Sequence, residues 1–338
     1  MRRPGVLITG ASGEIGHGLI ERLSADGATT IVTLDVRNLE PDLGRRAHRE
    51  IIGSITDNAV LDRILAEFDI DHVYHLAAYL STRSEFTPVT AHQVNVEGTM
   101  NLLEFAQRQA ESHGRPVVFL YPSSIAAFGM PDLETKAKAG KVREELFNTP
   151  TTMYGCNKLY CEQLGTYFSK HLRQLATEQP VMLDFRCLRF PGLISAFTVP
   201  SGGTSDYGPE MLHAAAQGAP YACFVREDVR IPFMAMPDAV RAIMLLTQAP
   251  REALRKHVYN VTSFSLSAEE FRQWVLKYFP EAQISYKPDV KRQAIVDSWP
   301  ADLDDSAARR EWAWQPDYDV ERSFGEFLVP NIKKRYEG

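Results

Sequence analysis

The chain has no C-x-x-C pair. Its four cysteines, Cys156, Cys161, Cys187 and Cys223, are scattered through 338 residues. A chain this long builds a core without a disulfide framework, so these read as free, packed thiols in a reducing compartment, the cytoplasm. Long apolar runs are missing too. The N-terminal run Val6–Ile8 stops at a glycine loop, which argues against a signal peptide, and no stretch nears the ~18 apolar residues of a membrane span. No block of Lys or Arg offsets the net charge of −6, which excludes nucleic acid and anionic membrane as main partners. The nine histidines make no H-E-x-x-H spacing, and His72 and His75 fall on opposite faces of a strand, so no metal site is expected. Internal repeats and low-complexity tracts are also absent.

What is present is an alternation. Gly5–Thr9, Thr30–Asp35, Arg49–Gly53, His72–Ala77, Val117–Tyr121 and Met182–Leu188 read as strands. Between them Glu14–Ala25, Leu61–Asp69, Pro88–Ala110 and Tyr154–Leu172 have helical periodicity. Repeated β-α order with right-handed crossovers predicts an α/β fold, a Rossmann-type doubly wound parallel sheet. After about residue 190 the alternation weakens. Pro191–Tyr207 is rich in turn residues, Pro237–Gln248 and Ser267–Tyr278 read as helices, and Val258–Val261 and Gln283–Tyr286 as strands. The predicted division is a nucleotide-binding domain over 1–190 with 237–257, and a smaller, interleaved substrate domain over 191–236 and 258–338. Pro131–Pro150, with eight charged residues in twenty, reads as a surface excursion.

Thr9-Gly10-Ala11-Ser12-Gly13-Glu14-Ile15-Gly16 joins the first strand to the first helix, its glycines spaced G-x-x-G-x-x-G. A turn there must let a pyrophosphate approach the backbone and the helix N-terminus, which offers free N–H groups. Asp35 ends the second strand, nineteen residues beyond Gly16, where an acid bonds a ribose 2′-hydroxyl and repels a 2′-phosphate. The expected cofactor is therefore NAD, with Arg37 beside that ribose. Asp57 suits either an adenine-edge contact or a helix N-cap. Leu76-Ala77-Ala78 ends the fourth strand with small residues that leave room for a dinucleotide across the strand ends.

Tyr154 and Lys158 stand at i and i+4 on one helix face. An ammonium beside a phenol lowers its pKa and fits tyrosine to take a hydroxyl proton. Ser123 and Ser124 follow an apolar strand directly, which puts hydroxyls at the sheet's carboxyl edge.

Taken together, T-G-x-x-G-x-x-G, Asp35, L-A-A at Leu76–Ala78, Asn95, Ser123–Gly129 and Tyr154/Lys158 resemble the extended short-chain dehydrogenase/reductase family over nearly the whole chain. The resemblance implies a seven-stranded sheet, bound NAD, and a homodimer pairing the helices near Pro88–Ala110 and Tyr154–Leu172. It makes Tyr154 the base, Ser124 the hydroxyl that orients the substrate with Ser123 nearby, and Lys158 the partner of Tyr154 and the nicotinamide ribose. Asn95 would hold a helix kink and a water. Within the family, Leu188–Ser195 (LRFPGLIS), Gly202–Tyr207 (GGTSDY), Ile295–Ala308 (IVDSWPADLDDSAA) and Leu80–Glu85 (LSTRSE) resemble the L-threonine 3-dehydrogenase branch. That likeness implies L-threonine as the small-molecule substrate and Ser81, Thr204 and Trp299 as residues contacting it. Trp299 would cover the pocket or serve in domain packing.

The alternative is a nucleotide-sugar epimerase or dehydratase. Those relatives carry an asparagine where this chain has Gly192 and a diphosphate-gripping arginine where it has Ile231, though Arg230 is adjacent. Losing such a charge-assisted contact costs roughly 1.5–3 kcal/mol. A non-catalytic NAD-binding regulator would have lost Ser124, Tyr154 or Lys158, and all three are present.

Overall fold

The computed structural model describes residues 2–25, 27, 29–175, 181–200 and 202–337. Ser201, in the turn-rich Pro191–Tyr207 segment, lies outside the described residues. Seven β-branched and aromatic runs form one sheet: β1 (Arg3–Thr9), β2 (Ile31–Asp35), β3 (Arg49–Ile52), β4 (Phe68–His75), β5 (Val117–Ser124), β6 (Leu183–Phe190) and β7 (Val258–Asn260). Their order is 7-6-5-4-1-2-3. β1 pairs in parallel with both β2 and β4, β2 with β3, and β4 with β5. The order reverses between β1 and β4, and in such sheets ligands collect beyond the strands' carboxyl ends at that point.

The doubly wound sheet that the alternation predicts is therefore what the chain forms. All eight residues of β6 are buried, although three are charged. Arg186 meets Asp184 at 2.5 Å and donates to the carbonyls of Leu246, Thr247 and Ala249, tying off the end of the Met236–Gln248 helix.

Two compact units result, each gathered from separated pieces of chain. The first comprises Met1–Ser123, Asn157–Leu188 and Ile243–Val258. Its core is largely aliphatic, with Leu7, Val32, Ile70, Val73 and Leu102 packed around the stacked rings of Phe119 and Phe185. The second comprises Ser124–Cys156, Arg189–Ala242 and Tyr259–Gly338. Its core is aromatic: Phe233, Phe271 and Phe324 lie 5.3 and 5.1 Å apart in sequence, centroid to centroid, and Tyr207 meets Phe233 edge-on. Around it, Arg230–Ala235 pairs with Phe264–Ser267 and Gly192–Ile194. Ser267 and Glu270 form the capping box that starts the Ala268–Tyr278 helix.

Three segments depart from expectation. β4 begins at Phe68, inside the stretch read as helix to Asp69, because the preceding helix ends at Glu67. Pro88–Ala110 is not one continuous helix: a π-turn over Gln93–Glu97 divides Pro88–His92 from Gly98–His113. The Pro131–Pro150 excursion is anchored within its unit rather than lying loosely on the surface. Lys141–Val142 pairs with Asp302–Leu303, Val142, Lys136 and Glu144 are buried, and Lys136 donates to the Val296 carbonyl at 3.0 Å.

Candidate active site

The glycine loop that leaves β1 uses its glycines for different reasons. Gly10 has φ +67°, and a Cβ there would lie 2.5 Å from the Ala77 nitrogen. A Cβ on Gly16 would lie 2.3 Å from the Ala11 carbonyl oxygen, so the helix Glu14–Ser24 could not pack so close. Gly13 is different, because its Cβ would meet only the Gly10 oxygen at 3.3 Å. Gly13 is also the N-cap of that helix, and no side chain caps it. The result is an open N-terminus with Ser12, Glu14 and Ile15 around it, which fits a pyrophosphate.

Asp35 stands at the end of β2 with its carboxylate already fixed. Oδ2 accepts from the Ser12 amide at 2.9 Å and the Ser12 hydroxyl at 2.7 Å, and Oδ1 from the Arg37 amide at 3.0 Å. A carboxylate offers about four lone-pair sites, so a ribose hydroxyl can still be accepted. Ser12 thus joins the phosphate loop to the ribose acid. Asp57 is exposed and caps the Asn58–Glu67 helix through the Ala59 amide at 2.9 Å. Leu76, Ala77 and Ala78 are half-buried, with Ala77 against Gly10. These residues fit a dinucleotide with a free 2′-hydroxyl.

Asn95 is buried in the π-turn. Its Oδ1 accepts from the Tyr79 amide at 2.7 Å, and its Nδ2 donates to the Tyr79 carbonyl and the Asn157 side chain. The amide therefore pins the chain just past Ala78 to the broken helix.

Strand alternation separates the two serines. Ser123 points inward and donates to Glu162 Oε1 at 2.5 Å, while Ser124 is half-buried and accepts from the Ala126 amide at 3.1 Å. Ser123 is thus engaged with Glu162, and Ser124 stands half-buried at the strand end. Tyr154 lies in the first turn of the Met153–Lys170 helix. Its neighbour Gly155 explains how that turn reaches the Ser124 segment: a Cβ would lie 2.0 Å from the Ala126 carbonyl oxygen.

One turn further along the helix, Lys158 is buried, donates to the Pro122 carbonyl at 2.6 Å, and sits 4.4 Å from the centroid of the Tyr121 ring. Burial pushes its pKa down to about 8. Burial also pushes the Tyr154 phenol above its ordinary value. The expected lowering by the lysine does not appear in the chain by itself, because desolvation of the phenol dominates.

The remaining expected residues divide between the units. Ser81 is half-buried and opens the helix Ser81–Phe86 of the first unit. Thr204 and Trp299 are buried in the second. Those two are linked through one helix, Val290–Asp297. Its Arg292 donates to the Gly203 carbonyl at 2.9 Å and stacks on Phe224, while the Trp299 amide donates to the Val296 carbonyl.

The diphosphate positions are filled for other purposes. Gly192 lies against Phe233, and Ile231 is fully buried. Arg230 is committed to Glu270 at 2.6 Å and to the Ser265 carbonyl at 2.8 Å.

Sequence reasoning passed over Gly155, Glu162 and Arg292. Glu162 carried a readable signal, since it repeats the i+4 spacing of Tyr154 and Lys158. Arg292 carried none, because the Gly203 carbonyl and the Phe224 ring lie 89 and 68 residues away. Among the described residues no cluster of three metal-ligating side chains occurs, and no helix is long and apolar enough to cross a membrane.

The model of the NAD dependent epimerase/dehydratase family matches residues 6–262. The mitochondrial L-threonine 3-dehydrogenase of Bos taurus is 35% identical over 93% of this chain and 79% of its own length. A monomeric L-threonine 3-dehydrogenase from a metagenome superposes with a TM-score of 0.84 at 34% identity, over 98% of this chain and 99% of its own. The UDP-glucose 4-epimerase of Thermotoga maritima superposes with a TM-score of 0.81 over 98% of this chain and 99% of its own, but at 19% identity it shares the fold alone. On its cradle, its sheet and these likenesses, the chain belongs to the NAD-dependent epimerase/dehydratase family, the extended short-chain dehydrogenases/reductases.

Proposed function

We propose that this chain is an L-threonine 3-dehydrogenase that oxidises the C3 hydroxyl of L-threonine to give 2-amino-3-oxobutyrate. The observation that carries this reading is the 34–35% identity to L-threonine 3-dehydrogenases over nearly the whole chain, against 19% to the epimerase. The commitment of Arg230 to Glu270 supports it, since no arginine there is left to grip a diphosphate.

In this reading Gly10, Ser12, Gly13, Glu14, Ile15 and Gly16 would hold the pyrophosphate of NAD⁺, Asp35 and Arg37 its ribose and Asp57 its adenine, and Leu76, Ala77, Ala78 and Asn95 would leave room for it. When bound, the nicotinamide would supply the hydride acceptor for C3. Tyr154 takes the hydroxyl proton, so that one hydride and one proton leave the alcohol and a ketone remains. Burial raises the Tyr154 phenol, so a cation beside it would favour the phenolate; in this reading Lys158 holds the ribose and contributes to that charge. Ser124 orients the substrate oxygen, with Ser123 holding the strand end behind it. Ser81 and Thr204 bind the amino acid's polar groups, and Trp299 excludes water.

In this reading residues 1–190 with 237–257 serve as the nucleotide domain and 191–236 with 258–338 as the substrate domain. The exposed Tyr160 and Tyr167 on the Met153–Lys170 helix support a homodimer, and the four free cysteines a cytoplasmic setting. A light-scattering mass equal to one chain would refute the dimer. NADH release with L-threonine and none with UDP-galactose is the expected activity. Conversion of UDP-galactose to UDP-glucose would replace this reading with the epimerase one.

A further inference from the structure

Glu162 lies one helical turn beyond Lys158 and two beyond Tyr154, so the three side chains share one face of the Met153–Lys170 helix. It is 1% exposed. A carboxylate that deep is strongly unfavourable unless hydrogen-bonded and balanced by a cation. Its Oε1 accepts the Ser123 hydroxyl at 2.5 Å, which satisfies a lone pair but cancels no charge. The buried cation one turn away is Lys158, and its Nζ donates to the carbonyl of Pro122, the residue before Ser123. The two charged side chains therefore grip consecutive residues of the same strand end.

The other titratable groups that face Lys158 are few. They are His75 from β4, Tyr121 from β5, Cys187 from β6, and Cys161 and Tyr154 on its own helix. Burial holds His75 neutral, down to about 3, and pushes the Cys161 thiol up. Among the described groups that act on Lys158 (Cys161, Cys187 and Glu162), Glu162 is the carboxylate.

We propose that Glu162 is a positioning residue of the catalytic set: anchored by Ser123, its carboxylate balances the buried Lys158 ammonium and keeps it charged and directed. This rests on the assignment of Lys158 to the reaction. Desolvation draws Lys158 down to about 8, and Cys161, Cys187 and then Glu162 oppose that fall. Without the carboxylate, Lys158 loses its proton within the working pH range.

The test compares Glu162→Gln, Glu162→Asp and Ser123→Ala with wild type, using Lys158→Met as the control. Two readouts are taken: kcat and KM for L-threonine from pH 6 to 10, and the Lys158 titration by NMR of ¹³Cε-lysine in the chain alone, assigned by its loss in Lys158→Met. For Glu162→Gln the midpoint falls by about one pH unit or more. The alkaline limb of kcat moves with it, so the deficit against wild type widens from about 3-fold at pH 6.5 to about 10-fold or more at pH 8.5, while KM for threonine stays within about 2-fold. Glu162→Asp keeps the charge and a near-wild-type midpoint.

An unmoved midpoint with a uniform loss at every pH overturns the proposal, since that is the mark of a merely structural residue. If the glutamine chain does not fold, Ser123→Ala and Glu162→Asp carry the test. Ser123→Ala, which frees the carboxylate from its anchor, should lower the Lys158 midpoint and widen the kcat deficit above pH 8, while Glu162→Asp keeps both near wild type; an unmoved midpoint in Ser123→Ala with a pH-independent loss, or no loss, overturns the proposal. Lys158→Met with wild-type turnover would instead sink the role of Lys158 itself. An inactive Lys158→Met beside a wild-type-like Glu162→Gln would sink only that of Glu162.

Discussion

The molecule has two glycine-bearing loops with expected roles in binding, and they are built in opposite ways. The Thr9–Gly16 loop needs glycine because its neighbours are close: a Cβ on Gly10 or Gly16 would strike backbone at 2.5 or 2.3 Å. The Gly202–Tyr207 loop needs it for its own backbone: Gly202 has φ +85°, and a Cβ there would meet nothing within 4 Å. The first loop is rigid because β1, β4 and a helix enclose it. The second is held by tethers, namely Arg292 on the Gly203 carbonyl and Asp206 Oδ2 on the Gly203 amide at 2.6 Å. A cofactor cradle is thus pre-built by the sheet, whereas the proposed substrate loop depends on a few side-chain bonds.

The sharpest way to break this contrast is to fill each loop with one methyl group. Gly16→Ala should cost about 3 kcal/mol or more and abolish NAD⁺ binding, because backbone must move. Gly202→Ala should cost only about 1–2 kcal/mol, the strain of a left-handed residue. Chemical denaturation of both variants checks this, and equal costs would erase the distinction.

Next in size is the chemistry itself. Tyr154→Phe should retain NAD⁺ affinity and lose about 100-fold or more in kcat, the scale of acid–base catalysis. Stopped-flow turnover beside a binding titration separates the two, and a variant that keeps most of its turnover would show that another group is the base.

A smaller effect concerns the support behind the first loop. Thr9 Oγ1 meets His75 Nδ1 at 2.9 Å, and His75 Nε2 meets Thr99 Oγ1 at 2.9 Å. Thr99 donates to the Asn95 carbonyl, so Nε2 carries the proton and Nδ1 accepts from Thr9. Burial draws His75 from 6.5 to about 3. The unfolded chain therefore binds the extra proton first, and stability is lost as pH falls through the window from 6.5 towards 3. The loss is about 1.4 kcal/mol per pH unit below 6.5 for this residue. Melting curves from pH 7 to 4.5 should show the decline, shallower in His75→Asn.

The smallest expected effect is on cofactor choice. Asp35→Asn should reduce the NAD⁺ over NADP⁺ preference in kcat/KM by about tenfold, near 1.4 kcal/mol. An unchanged ratio would detach Asp35 from the ribose.

The same contrast explains what the sequence made legible. Glycine spacing, the acid at the end of β2 and Tyr154/Lys158 are short-range patterns, each fixed by one turn or one helix, and the alternation of apolar runs gave the sheet. Long-range contacts left no such mark. The eight charges of Pro131–Pro150 read as surface, yet Glu144 Oε1 accepts from the Asn260 amide at 3.0 Å and the Asn260 side chain reaches the Val142 carbonyl. The π-turn was hidden because its residues keep a helical pattern, and Tyr79, which its Asn95 bonds, lies sixteen residues back. Polar composition tells where water is welcome only when no distant partner claims the charge.

Hydride removal from C3 of L-threonine, with Tyr154 as base, can be followed by isotope transfer. L-Threonine carrying deuterium at C3 is mixed with enzyme and NAD⁺, and the reduced cofactor is analysed by mass spectrometry. The account predicts one deuterium per cofactor reduced by wild type, and a rate about 100-fold lower for Tyr154→Phe. Reduced cofactor without deuterium, or none at all with threonine, would contradict it.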